Sequence, residues 1–181
     1  AAVRNSTTYK SAKVTVKGKI HQTVKAATFT DDTSETQATI GGFGGYFAST
    51  ASYNCTVEND VEVDATWTGT AASYVQIGGV VGRTGATVIS SHNEGPVSVY
   101  GDAVETQAAI SANKVGGFAG YAGNSMSGST NKATGVVTVT GKMFPSGVWP
   151  KNSGGVAIGG LVAHKDGATT DCHNYAPVNG W

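Results

Sequence analysis

Four residues recur at a fixed place in this chain and could form a recognition surface. They are Tyr46, Arg83, Tyr121 and His164, each ending a glycine-rich phrase: "IGGFGGY" (40–46), "IGGVVGR" (77–83), "VGGFAGY" (115–121) and "IGGLVAH" (158–164). All four side chains are planar. If the column faces outward, it makes a ridge suited to stacking on sugars or to a protein contact. Trp67 and Trp149, in variable segments, would extend such a surface. A second candidate chemistry is acid–base work by Asp60, Glu62 and Asp64, whose alternation puts three carboxylates on one face of a strand. A glycosidase places two carboxyls about 5–9 Å apart around a sugar. Lysines on the neighbouring strand make a solvated charge ladder the better reading of this trio. No Ser/His/Asp arrangement emerges, so the chain reads as a non-enzyme.

These residues are positioned by an internal repeat. The anchors Ile40, Ile77, Val115 and Ile158 are 37, 38 and 43 residues apart. Cys55, Ser91, Ser129 and Cys172 follow at offsets of 15, 14, 14 and 14, and strands of strict alternation come next: "VEV" (61–63), "VSV" (97–99) and "VTV" (137–139). The stretch "NSTTYKSAKVTVKGK" (5–19) carries the same spacing as "GSTNKATGVVTVTGK" (128–142). A period near 40 with short strands fits a propeller blade or a solenoid coil. With about three short strands and one long variable segment per unit, the expectation is an all-β, parallel β-solenoid (β-helix) of about four coils. A single domain, 1–181, would divide into coils at 1–39 (partial), 40–76, 77–114, 115–157 and 158–181 (partial). In that register Lys13 meets Asp60, Lys17 meets Asp64 and Asp102 meets Lys142.

Gly41, Gly78, Gly116 and Gly159 align in one column, and Gly42, Gly79, Gly117 and Gly160 in the next. Phosphate cradling would need a following helix and a different glycine spacing. Paired glycines recurring at the coil period read instead as a structural corner, needing φ > 0 or a close backbone approach. Cys55 and Cys172, three coils apart, would be separated by about 14 Å at roughly 4.8 Å per coil. A disulfide needs Cα atoms within about 7 Å, so both thiols are predicted unpaired and buried. His92 and His173 lie two coils apart, too far for one zinc ion; no metal or cofactor is predicted. Asn93, Asn131 and Asn174 fall in consecutive coils and would form an amide ladder, with Val57 standing where the second unit lacks its asparagine.

Charged residues are only 13% of the chain, and the formal net charge is +0. No electrostatic case exists for nucleic acid or an anionic membrane. No apolar run is long enough to predict membrane insertion. Twenty-six glycines with many β-branched residues and little charge suit an extracellular or cell-surface protein. "AAVRNSTTYK" lacks an apolar signal core, so a mature or excised form is expected.

The stretch "IGGVVGRTGATVISSHNEGPVSVYG" (77–101) resembles the GLUG-type glycine-rich repeats of bacterial, Bacteroidetes-like surface proteins and adhesins. The resemblance covers essentially the whole chain in four and a half imperfect units, with Ala163 replacing the last glycine of the phrase. It implies a structural or adhesive, non-catalytic module of a secreted or cell-surface bacterial protein, and brings no catalytic motif. The expected partners are glycans or surface proteins. Half-coils at both ends suggest a fragment of a longer solenoid, or head-to-tail stacking into a homo-oligomer or filament. The alternative is a carbohydrate-binding or carbohydrate-processing β-helix.

Overall fold

Beta-branched and alternating segments become strands, and glycine phrases become the bends between them. The computed structural model of the chain describes residues 2–3, 12–26, 37–47, 55–69, 74–103, 113–142 and 157–180. Among them every regular element is a strand and every pairing is parallel, in sheets of 5, 8, 4 and 3 strands. The first stack contains Gln37–Gly41, Tyr74–Gly78, Lys114–Gly116 and Ala157–Gly159. The second contains Ala2–Val3, Gly44–Phe47, Val81–Thr84, Ala119–Ala122 and Val162–Lys165. Val88–Ile89, Met126–Ser127 and Thr169–Thr170 form the third.

The fourth stack is built on two 15-residue strands, Ala12–Ala26 and Cys55–Gly69, paired along their whole length. The second of these then faces two shorter strands, His92–Asn93 and Val97–Ala103. The break between them falls at Glu94–Pro96, where proline has no N–H to give to a ladder. Backbone bonds bridge the break, with Glu94 N donating to Asn59 O and Val63 N to Pro96 O. Thr130–Asn131 and Val137–Lys142 continue the stack, followed by His173–Asn174 and Val178–Gly180.

The register of the glycine phrases follows the sequence spacing: Ile40, Ile77, Val115 and Ile158 are mutual partners. Val97 faces Val137, and Asp102 faces Lys142, as the alternation suggested. The first two long strands, however, are slipped relative to the sequence-based alignment. Val97 pairs with Val63 rather than Val61, and Lys13 pairs with Thr56 rather than Asp60. Val63 pairs in turn with Ile20, so the stretch 5–19 does not lie on the positions its spacing suggested. Lys17 faces Asp60 instead of Asp64 (Nζ–Oδ2 3.8 Å), Lys19 faces Glu62 (2.9 Å) and His21 faces Asp64 (2.9 Å). The slip is by an even number of residues, so the inward face is unchanged. Alternation alone permits any such slip, and a buried polar residue selects among them.

That residue is Asn59. It pairs with Asn93, which pairs with Asn131, which pairs with Asn174. The position assigned from sequence to Val57 therefore belongs to Asn59, while Val57 lies level with Ser91. It follows that Cys55 is not equivalent to Cys172; Ser91, Ser129 and Cys172 form that column without it. Cys172 is a half-buried free thiol and donates to Thr170 O at 3.4 Å. Ser91 and Ser129 hydroxyls make the same bond to Ile89 O and Ser127 O. The side chain of Cys55, like those of Trp67, Lys13, Asp102 and Lys142, lies outside the described residues. Trp149 lies outside them altogether.

Two apolar clusters fill the interior. In one, the Ile40, Ile77 and Val115 column of the first stack meets Val63, Val97 and Val137 of the fourth, with Val75, Val99 and Val139 beside them. In the other, Phe47, Val80, Val81, Phe118 and Met126 pack against Val57. Between these clusters runs the asparagine column. Each Nδ2 donates to the next Oδ1 at 2.9 Å, from Asn59 to Asn93, Asn93 to Asn131 and Asn131 to Asn174. Carbonyls take the second amide hydrogen: Gly79 O from Asn59, Gly95 O from Asn93, Ala176 O from Asn174. Asn59, Asn93 and Asn131 are wholly buried. Buried amides are tolerated because they are bonded, and each bond polarises the next.

The paired glycines answer to this column. Their φ values are not positive; among the described glycines only Gly18, Gly128 and Gly141 have φ > 0. Close approach is the reason instead. A Cβ on Gly79 would run into Gly117 O and the Asn93 amide, and one on Gly117 into Gly160 O and the Asn131 amide. The backbone must come this close for the asparagines to reach its carbonyls.

Candidate functional site

Tyr46, Arg83, Tyr121 and His164 are register partners on successive strands of the second stack, each on the opposite side from the inward-facing Phe47, Thr84 and Ala122. Strand pairing brings equivalent Cα atoms about 4.8 Å apart, which is close to the contact distance of flat side chains. The rungs accordingly stack on one another. The Arg83 guanidinium carbon sits 5.5 Å from the Tyr46 ring centroid and 5.1 Å from that of Tyr121. Tyr121 and His164 are stacked with centroids 5.3 Å apart and 27° between planes. Alternating ring, cation and ring is the arrangement in which cation–π attraction is favourable on both faces of Arg83.

Two residues complete the cluster that the spacing of the phrases did not single out. Asp166 accepts a hydrogen bond from the Tyr121 hydroxyl and lies 2.9 Å from His164 Nε2. Lys114 comes from the adjoining first stack, and its ammonium lies 4.8 Å from the Tyr121 ring centroid. Its register partner Gln76 is 3% exposed, and the Gln76 Oε1 has no hydrogen-bond partner among the described residues. Thr39, Gln76, Lys114 and Ala157 immediately precede the phrases, so this polar column was readable from the same spacing. Asp166 carried no such signal, because it follows the last residue of its strand, Lys165.

The electrostatics follow from these contacts. The Tyr121 hydrogen bond, then that of His164, holds the Asp166 carboxyl below its ordinary range. Its bond to Asp166, and then burial, raise the Tyr121 phenol. Burial lowers the Lys114 ammonium, against the opposing pull of Asp166. A depressed carboxylate contributes stability above its ordinary pKa of about 4 and loses it as pH falls below that value. A raised phenol contributes below about 10 and loses its contribution as pH rises beyond its folded value. The Tyr121–Asp166 anchor should thus hold across the whole neutral range. Titrating phenolate absorbance should find a tyrosine ionising above its ordinary range, and Asp166→Asn should move it back toward that range. An unchanged titration curve in that variant would contradict the contact.

The other sequence candidates are dispersed. Asp60, Glu62 and Asp64 share a face but are committed to Lys17, Lys19 and His21. His92 and His173 share a column with Thr130 between them. Among the described residues no group of three or more His, Cys, Asp or Glu could hold a metal ion. No helix among them is long and apolar enough to cross a membrane.

No family model, curated protein or solved structure matches the chain. The reading of this surface therefore rests on its own geometry.

Proposed function

We propose that the chain is a parallel β-solenoid serving as a non-catalytic structural or adhesive module of a secreted or cell-surface bacterial protein. The glycine phrases, in this reading, are the corners of successive coils, and the asparagine column is the internal strut that sets their register. Support comes from the shared order of the stacks, in which strands about 40 residues apart in sequence are neighbours in space.

One observation carries the functional part: the Tyr46, Arg83, Tyr121 and His164 ladder stands outward on successive parallel-paired strands, braced by its own stacking. Side chains held this way lose little entropy on binding, which suits a contact surface. Beads coated with the chain should be retained under flow on surfaces carrying glycans or surface proteins. Tyr46→Ala with Tyr121→Ala should abolish retention, and no reducing sugar ends should appear. Retention on none of the surfaces would sink the adhesive reading, and released sugar would show an enzyme.

A further inference from the structure

The ladder differs in one respect from a sugar-stacking platform: both sides of Arg83 and Tyr121, and one face each of Tyr46 and His164, are taken by neighbouring rungs. Tyr46 and Tyr121 cover the two sides of Arg83, and His164 covers Tyr121. What the ladder presents outward is edges, namely the Tyr46 phenol, the remaining lone pair of the Tyr121 oxygen that donates to Asp166, and the His164 ring nitrogen that does not face Asp166. Edges recognise by hydrogen bonds and charge rather than by apolar stacking. Beside them, Lys114 is a half-buried cation with no ion pair among the described residues; it lies over the Tyr121 ring and feels the Asp166 carboxylate only from beyond ion-pair distance. Gln76, one strand away in the same column, has a buried oxygen without a donor among the described residues. The carboxylate nearby, Asp166, is already engaged by Tyr121 and His164. The Lys114 end of the face thus has positive charge and hydrogen-bonding capacity in excess.

We propose, building on the solenoid and adhesive reading above, that this face is a subsite for an extended acidic polysaccharide. Lys114 receives its anionic group, and the edges of Tyr46 and Tyr121 receive hydroxyls along the chain. Two observations favour a glycan over a peptide or a nucleic acid. Val81–Thr84 and Ala119–Ala122 are paired on both sides, so a peptide cannot add to them as a strand. With zero formal net charge, the molecule has no long basic track for a nucleic-acid backbone. A pyranose ring is about as long as one strand spacing of about 4.8 Å, so successive sugars can meet successive rungs. Carboxylate and sulfate groups share the required chemistry.

The test is solution affinity of the full chain, by biolayer interferometry, for oligogalacturonate, dextran sulfate, neutral dextran and polyglutamate of similar length. One or both acidic glycans should bind, and more weakly as salt rises; which of them binds identifies the anion. Lys114→Gln should weaken binding about tenfold, the scale of one charge-assisted hydrogen bond. Lys17→Gln, on a different sheet, should leave it unchanged, with circular dichroism confirming that both variants fold. The proposal is overturned if neutral dextran or polyglutamate binds as well as the acidic glycans, if none of the four binds, or if Lys114→Gln binds like the parent. Bead retention that persists in any of those cases would leave the adhesive reading standing and remove only its acidic-glycan specificity.

Discussion

Gly79→Ala is expected to cost about 4 kcal/mol, most of the stability of a domain at the low end of the usual range. The new Cβ would press on Gly117 O and on the Asn93 amide together. Backbone on one side is held by parallel pairing, and the amide on the other is held by Asn59, Gly95 and Asn131. Gly79 N donates to Gly117 O at 3.0 Å, so moving that strand away breaks the bond that sets the spacing. Relaxation in either direction therefore breaks hydrogen bonds, which puts this change beyond ordinary overpacking of about 1–3 kcal/mol. Gly123→Ala is the matched control, because its Cβ would meet only the far end of the Tyr121 side chain. Urea unfolding midpoints should fall sharply for the first variant and stay near the parent for the second. Equal midpoints would show that the glycine column is dispensable.

Asn93→Ala is expected to lower stability by about 3 kcal/mol through polar loss rather than lost apolar area. The substitution removes the donor to Gly95 O and to Asn131 Oδ1, and the acceptor for Asn59 Nδ2. Asn131 Oδ1 is then left buried without its donor, and an unmade buried bond costs about 1–3 kcal/mol. Asn174→Ala, at the exposed end of the column, should cost well under half as much, because water can replace the lost partners. The comparison by chemical denaturation separates a cooperative strut from four independent side chains. If both substitutions cost the same, the column does not act as a unit.

The glycine phrases were legible because their spacing recurs and because glycine at a repeated position has few explanations. The long strands were not. From Ile77, Val115 and Ile158 to Asn93, Asn131 and Asn174 the distance is 16 residues each time, but from Ile40 to Asn59 it is 19. Anchoring the second unit on Cys55 instead concealed Asn59 and moved the charge pairs out of register. Residues 57–65 alternate so regularly that slips of two or four conserve the buried face, and periodicity carries no penalty against them. The column of Tyr46, Arg83, Tyr121 and His164 was legible as four planar side chains on one line. Their mutual stacking was not read, although a spacing of about 4.8 Å leaves no room for a ligand between rungs. Lys114 was hidden only by its position just before the phrase, whereas Asp166 required the fold.

The asparagine column also has a direction. Each of its three amide–amide bonds points from the lower-numbered residue to the higher. The amide dipoles therefore add head to tail, much as peptide dipoles do along a helix. Asn59 ends the series with a buried Oδ1 that has no donor among the described residues, and Asn174 ends it as the last acceptor. The Asn59 and Asn174 ends of the column consequently carry partial charges of opposite sign. Two copies meeting face to face about a two-fold axis would set like poles together, whereas a copy arriving in the same orientation would meet the opposite pole.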